Sequence, residues 1–328
     1  MVAGPVSSQE DVLNWRMNSL LHPKLFGESA DYFARRVEQL SGGSFVISAH
    51  DRMMLDQDTF GALDAGLVDA VWGSAGHHHR EDPALTIFGG FPFGPDPAGF
   101  TAWMRAGGGA EALDAIYARH GLKSLYCGAL PSEGGGWFVT PLDGPEDLDG
   151  LAMRSFGYGA RVLHKLGAVP YELPAGEIRP AFEAGLIDAA EFSLPSIDAD
   201  LGVADVTGHL YFPGWQQPST PLEILMPEDS WAALSNQHKA AVTAACNETL
   251  AWTASQAVVQ QIDALARFRA AGVEFHSWPE AALVALRQAW DEVIAEDTAR
   301  DPLIADAWQG YLRFRDGYDD WHMRAYAD

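Results

Sequence analysis

Arg154 closes the segment DLDGLAMR, residues 147–154, and its type points most directly to chemistry. A planar guanidinium matches the fork of a carboxylate and stays charged when water is removed. The plainer reading is a surface ion pair, which contributes little. His77, His78 and His79 form a second candidate group. Neighbours on an extended chain alternate sides, so either His77 with His79, or His78 alone, can point into one cleft. A neutral imidazole there could donate a hydrogen bond to a ligand carbonyl or hydroxyl, and the alternative is a polar loop. The run SEGGGW, residues 132–137, holds too much glycine for a helix or a central strand. It reads as a hinge or as backbone closely approaching a ligand.

These residues need elements to position them, and a repeat supplies the frame. ALDAGLVDAVW at 62–72 returns 119 positions later as AFEAGLIDAAE at 181–191, with six identities in the first nine positions. Each copy has an amphipathic stretch, a stopping glycine and a short apolar run: Asp58 to Ala65, Gly66 and Leu67 to Trp72, then Pro180 to Ala184, Gly185 and Leu186 to Phe192. One helix-then-strand unit per half implies two α/β lobes with mostly parallel sheets, whose ligand edge lies at the carboxyl ends of the strands. Gly73 to His79 and Glu191 to Pro195 should then face a ligand.

Around this frame, Trp15 to Leu20 and Phe45 to Ala49 read as strands, with a helix from Glu28 to Leu40 stopped by Ser41-Gly42-Gly43. Asp147 to Arg154 leads into a strand, and Ala160 to Leu166 is a helix ended by Gly167. Helical periodicity from Asp229 to Ala271 predicts a long helix able to brace both lobes. In the tail, Asp301 to Tyr326, the residues Trp308, Tyr311, Phe314, Tyr318, Trp321 and Tyr326 recur on one face that requires a cover. The lobes expected are 11–130 with about 218–250, and 131–217 with about 251–290, followed by the tail at 291–328.

With 328 residues, the chain can supply two cores. Its 45 acidic and 21 basic residues give a formal charge of -24, which argues against nucleic acid and direct lipid binding. A screened surface field still leaves room for an anionic small ligand beside a local cation. The two cysteines, Cys127 and Cys246, match no zinc or redox spacing and read more readily as buried free thiols than as a bonded pair. MVAGPVSSQED has neither a basic n-region nor an apolar h-region, which suits a cytoplasmic protein or an exported one whose leader has been removed.

In order, WRMNS (15–19), ALDAGLVDA (62–70), PFG (92–94), WMRAGGG (103–109), GGWF (135–138), DLDGLAMR, LGAVPYELPAGEIRPAFEAGLIDAAEF (166–192) and YFPGW (211–215) make the chain resemble the solute-binding proteins of tripartite ATP-independent periplasmic (TRAP) transporters. The similarity is greatest to the branch that takes 2-oxo acids. The resemblance implies a two-lobed periplasmic clamp, delivering a small monocarboxylate such as pyruvate or lactate to a small and a large membrane subunit. It also implies a homodimer built on the C-terminal helix. By the same resemblance, Arg154 would hold the ligand carboxylate beside a Ca²⁺ or Na⁺ ion. That ion would be bound by Glu133, Glu191, the backbone of Phe192 and Gln217, an all-oxygen set suited to a hard cation. Glu133 stands where the branch usually has Gln and Gln217 where it often has an acidic residue, so the two departures preserve the charge count. Phe192 replaces a common Trp and leaves a larger pocket, with Tyr158 and Trp215 as further walls.

The rival readings are a sensory receptor of the same fold and a metal-dependent enzyme, with Glu133 or Glu191 as base and a histidine as acid. Against an enzyme, the chain has no HExxH, no G-x-S-x-G and no P-loop, and Gly157-Tyr158-Gly159 lacks the third glycine of a dinucleotide fingerprint.

Overall fold

Helix α1, Glu28–Leu40, shows how the chain builds its layers: Ala30, Phe33, Ala34 and Val37 fall on one face and are buried. The face packs on strands β1, Leu13–Ser19, and β2, Phe45–Asp51, which pair in parallel. The computed structural model describes residues 12–20, 27–51 and 58–325. The opening stretch MVAGPVSSQED and Tyr326 therefore lie outside the described residues.

Helix α2, Thr59–Asp64, and strand β3, Ala70–Gly73, are the first copy of the repeat. Helices α3, Pro97–Ala106, and α4, Gly109–Tyr117, precede β4, Leu122–Leu130. The chain then crosses into β5, Gly136–Phe138, followed by β6, Ala152–Arg154, α5, Gly157–Lys165, and β7, Val169–Tyr171. Helix α6, Ala175–Glu183, and β8, Ala189–Ala190, form the second copy. After α7, Pro195–Leu201, and β9, His209–Phe212, the chain crosses back into β10, Thr220–Pro227. It ends with α8, Glu228–Ala233, α9, Asn236–Ala270, β11, Glu274–Ser277, α10, Glu280–Arg300, and α11, Pro302–Ala325.

Two sheets result, in the orders β2-β1-β3-β10-β4 and β11-β9-β5-β8-β6-β7. The repeat strand is interior in each, with Gly66 and Gly185 both at φ 65°, the left-handed turn that ends the preceding helix. Both sheets are mixed: β10 runs antiparallel to β3 and β4, and β5 antiparallel to β8 and β9.

Several expectations need correction. The repeat strands are shorter than their apolar runs, and α6 starts at Ala175 rather than Pro180 because burial of Ile178 and Phe182 outweighs the internal proline. The SEGGGW run is loop only over its first four residues. Gly136 and Trp137 belong to β5, an interior strand anchored by the buried Trp137 ring against Phe268. The periodic stretch from Asp229 is two helices, because Ser235 caps α9 by accepting from the His238 N–H at 3.1 Å.

Cys127 and Cys246 are bonded, S–S 2.00 Å, which overturns the free-thiol expectation. Helix α9 lies along β4 and brings their Cα atoms to 4.1 Å, a proximity that a separation of 119 residues does not reveal.

Helix α9 joins the two halves as expected. Its first part buries Val242 and Ala245 in the core of the first sheet, and its last part buries Ala264 and Phe268 beneath the second. The tail folds back on its own chain: Tyr311 meets Phe91 at 4.8 Å and Trp103 at 5.3 Å, and the Tyr318 hydroxyl donates to Asp96 at 3.1 Å. Most of its aromatic face is thus covered from within, leaving Trp321 and Met323 exposed. Helix α10 runs unbroken through residue 290, so the boundary expected there falls inside a helix.

Candidate functional site

The site lies where the strands of the second sheet end and the chain crosses between sheets. Arg154 is the last residue of β6, paired with Ala190 of β8, so the residue after β8, Glu191, arrives beside it. The Glu191 N–H donates to the Arg154 carbonyl at 3.1 Å. The Arg154 Nη1 donates to both the main-chain and the Oε1 oxygens of Glu191, the latter at 3.3 Å, and its Nε to the Leu173 carbonyl at 3.2 Å. Nη2 makes no hydrogen bond among the described residues. The guanidinium lies over the Phe192 ring at 4.7 Å and the Phe156 ring at 5.5 Å, which fix its plane.

A cavity of about 470 Å³ opens in front of it, lined by His77, His79, Glu133, Arg154, Phe156, Phe192 and Gln217 among others. Beside it, a recess of about 30 Å³ is bordered by Glu191, Gln216, Gln217 and the start of α5 from Gly157 to Gly159. That volume holds one water or one ion. Gln217 lines both spaces, and its Nε2 donates to the Thr220 Oγ1 at 2.7 Å.

Three carboxyls are buried here with oxygens that find no partner among the described residues: Glu133 Oε2, Glu191 Oε2 and Asp198 Oδ1; the buried Gln216 Oε1 is likewise without one among them. Burial raises all three. For Glu133 the charges of Glu191 and Asp198 add to the effect, whereas for Glu191 the Arg154 guanidinium opposes it. Asp198 is pushed up to about 7, although the Trp137 indole N–H donates to its Oδ2 at 2.8 Å. One arginine cannot neutralise three carboxylates, so a cation would relieve the group. The unpartnered oxygens are hard donors of the kind such an ion takes, although the three carboxylates do not bring one oxygen each within 4.8 Å of one another here.

Most of the expected residues converge. Glu133, Arg154, Phe192, Gln217 and His77 share the cavity, with Glu191 and Tyr158 on the recess. Two fall elsewhere. His78 packs against Phe60 at 5.3 Å and Tyr117 at 6.5 Å behind the site, because residues 75–78 form a 3-10 helix whose side chains diverge by a third of a turn. Trp215 stacks on Phe93 at 5.8 Å and lines a separate cavity with Leu283 and Arg287. The His77 Nδ1–H donates to the Ser74 carbonyl at 3.1 Å, and burial lowers the imidazole to about 4, keeping it neutral. Phe156, Gln216 and Asp198 were missed. Phe156 follows Arg154 by two residues and could have been found as a ring of the same strand end, while the other two carry no local signal.

A buried arginine and several buried oxygen donors beside one cavity at the strand ends of an α/β fold define a receptor for a small anion. The chain belongs to the bacterial extracellular solute-binding proteins of family 7, the DctP family, whose model matches residues 20–301. It is 28% identical over 314 residues to a monocarboxylate 2-oxoacid-binding periplasmic protein of Nostoc sp., covering 94% of this chain and 86% of that one. Among solved structures it is similar to a TRAP transporter solute-binding protein from Bordetella bronchiseptica, at 30% identity and a TM-score of 0.90, covering 96% and 95% of the two chains. That structure is a mixed-occupancy dimer with copurified calcium and picolinate. A TRAP periplasmic solute-binding protein from Colwellia psychrerythraea, with calcium and pyruvate, matches at 26% identity and a TM-score of 0.91 over 96% and 98%. One from Pseudoalteromonas atlantica, with sodium and pyruvate, matches at 26% and 0.90 over 96% and 97%. The family and these relatives are transport receptors, which sets the enzyme reading aside.

Proposed function

We propose that the protein captures a small 2-oxo or 2-hydroxy monocarboxylate together with Ca²⁺ or Na⁺ and presents it to the small and large membrane subunits of a TRAP transporter. The observation that carries this reading is the buried Arg154, which lines the cavity beside carboxylates whose oxygens lack partners among the described residues. Arg154 would grip the ligand carboxylate, and the His77 Nε2, its ring proton held at Nδ1 by the Ser74 carbonyl, would accept from the 2-hydroxyl of a hydroxy acid. Glu133, Glu191, Gln217 and the Phe192 carbonyl would hold the ion, which supplies positive charge to ligand and carboxylates alike. Relatives with calcium or sodium beside pyruvate support the pairing. The Phe192 and Phe156 rings exclude water, so each charge is worth more when paired and costs more when not.

The lobes would be 11–130 with about 218–250, and 131–217 with about 251–290. The crossings at 131–135 and 213–219 are where the backbone runs closest: a Cβ on Gly214 would stand 2.3 Å from the Glu133 carbonyl. Closure would hinge there. The disulfide suits an oxidising compartment, and a relative named periplasmic supports that location. A homodimer through the exposed end of α11 completes the proposal.

The test is a titration of chelated and Ca²⁺-loaded protein with pyruvate and lactate, followed by tryptophan fluorescence. Acid and cation should strengthen each other by roughly 1 to 3 kcal/mol. Arg154→Ala should abolish acid binding, and Glu191→Gln should weaken both. Equal affinity for pyruvate with and without Ca²⁺ would remove the cation from the site, and undiminished binding by Arg154→Ala would remove the clamp.

A further inference from the structure

A second group of ligating side chains lies away from the cleft, at the far edge of the second sheet. Strands β9 and β11 pair in parallel with His209 opposite Glu274, and His276 lies two residues further along the same face. The His209 Nδ1 and His276 Nε2 are 3.0 Å apart, and the Glu274 Oε2 is 3.7 Å from each. These three atoms form an isosceles triangle with the two ring nitrogens at its short side. Two neutral imidazoles at that separation share a single proton, and the carboxylate is too far from either ring to be hydrogen-bonded. A cation that takes the place of that proton would meet one donor atom from each of the three residues.

We propose that His209, Glu274 and His276 form a site for a borderline divalent cation, Zn²⁺ or its neighbours Ni²⁺ and Cu²⁺, separate from the carboxylate cleft. In a tetrahedral zinc site with bonds of about 2.0 to 2.2 Å, ligand atoms stand roughly 3.3 to 3.5 Å apart, which the observed separations bracket. Two imidazoles with one carboxylate select such ions over Ca²⁺, which prefers an all-oxygen shell. The histidine side chains are 20% and 24% exposed and Glu274 69%, so an ion can enter from solvent and keep a water as its fourth ligand. The His276 ring stacks on Tyr211 at 4.9 Å, which holds its orientation before any ion arrives. An ion here would clip β11, the strand linking α9 to α10, onto β9.

The experiment uses the full chain without a polyhistidine tag, freed of metal, with the cleft saturated by Ca²⁺ and pyruvate. Zn²⁺ is titrated in competition with a chromophoric chelator, and the unfolding midpoint is followed in parallel. One equivalent should bind per chain and raise the midpoint, because the ion binds the folded state. His209→Ala and His276→Ala should each weaken Zn²⁺ at least ~100-fold while pyruvate affinity stays unchanged. Should either fold poorly, Glu274→Gln at the exposed corner decides, with an expected loss of at least ~10-fold. Absence of Zn²⁺ binding up to ~1 mM, which corresponds to no more than about 4 kcal/mol, would overturn the proposal. Binding that is undiminished in these variants would overturn it equally.

Discussion

Asp198→Asn probes the electrostatic cost of the buried carboxyl group directly. Asp198 sits behind the cleft, bonded to the Trp137 indole, and burial lifts it from its ordinary 3.8 to about 7. The folded protein thus holds this proton over a pH range in which the unfolded chain has released it. A raised carboxyl binds more protons folded than unfolded, so stability falls as pH rises from about 4 to about 7 and is level outside that window. At about 1.36 kcal/mol per tenfold change, the penalty is about 1.6 kcal/mol at pH 5 and about 4 kcal/mol above pH 7. Asparagine keeps an acceptor for Trp137 and removes the titration. In urea melts of chelated protein, the stability of the variant relative to the wild type should therefore rise by about 3 kcal/mol between pH 5 and pH 8. Ca²⁺ with pyruvate should restore the wild type at pH 8, by about 2.7 kcal/mol at a hundredfold excess over Kd. A difference between variant and wild type that does not change with pH would show that Asp198 keeps its ordinary value and that the cluster carries no such strain.

Two further outcomes follow from the fold. Replacing both Cys127 and Cys246 by alanine releases a closure of 119 residues and should lower stability by about 2 to 5 kcal/mol in denaturant melts, and a stability equal to that of the wild type would mean that the two thiols are not joined. Deleting α11 should destabilise the chain rather than simply separate subunits, because Tyr311 is buried against Phe91 and Trp103; the dimer is instead tested with Trp321→Glu and Met323→Glu, which should sediment as monomers with unchanged melting while the wild type sediments as a dimer.

The repeat made the frame legible, since a helix, a left-handed glycine and a short strand written twice leave few alternatives to two α/β layers. Arg154 and Glu191 were legible for the same reason: one ends β6 and the other directly follows β8, and neighbouring parallel strands end together. What escaped depends on torsions that residue types do not encode. In the pair Gln216-Gln217, one side chain turns inward to donate to the Gly134 carbonyl at 2.8 Å while the other faces the cavity. Nothing in two identical residues says which. The histidine run failed in a related way, because a 3-10 turn, not an extended chain, decided which rings reach the cleft. The disulfide needed the register of α9 on β4, a tertiary fact.

The exchange of residue types at 133 and 217 shows how far a pairwise reading can reach. Taken singly, a glutamate in a glycine-rich loop and a glutamine in a turn carry no weight. The structure sets the two positions on adjacent crossing segments, with the Glu133 N–H donating to the Gln217 carbonyl at 3.3 Å and both side chains lining one cavity. If both positions serve the proposed cation, a carboxylate moved from one crossing to the other stays at the same rim and the charge offered to the ion is kept. Compensation of that kind has a physical reason only if the two positions serve one ion, which makes Glu133 the residue whose loss should cost the cation most.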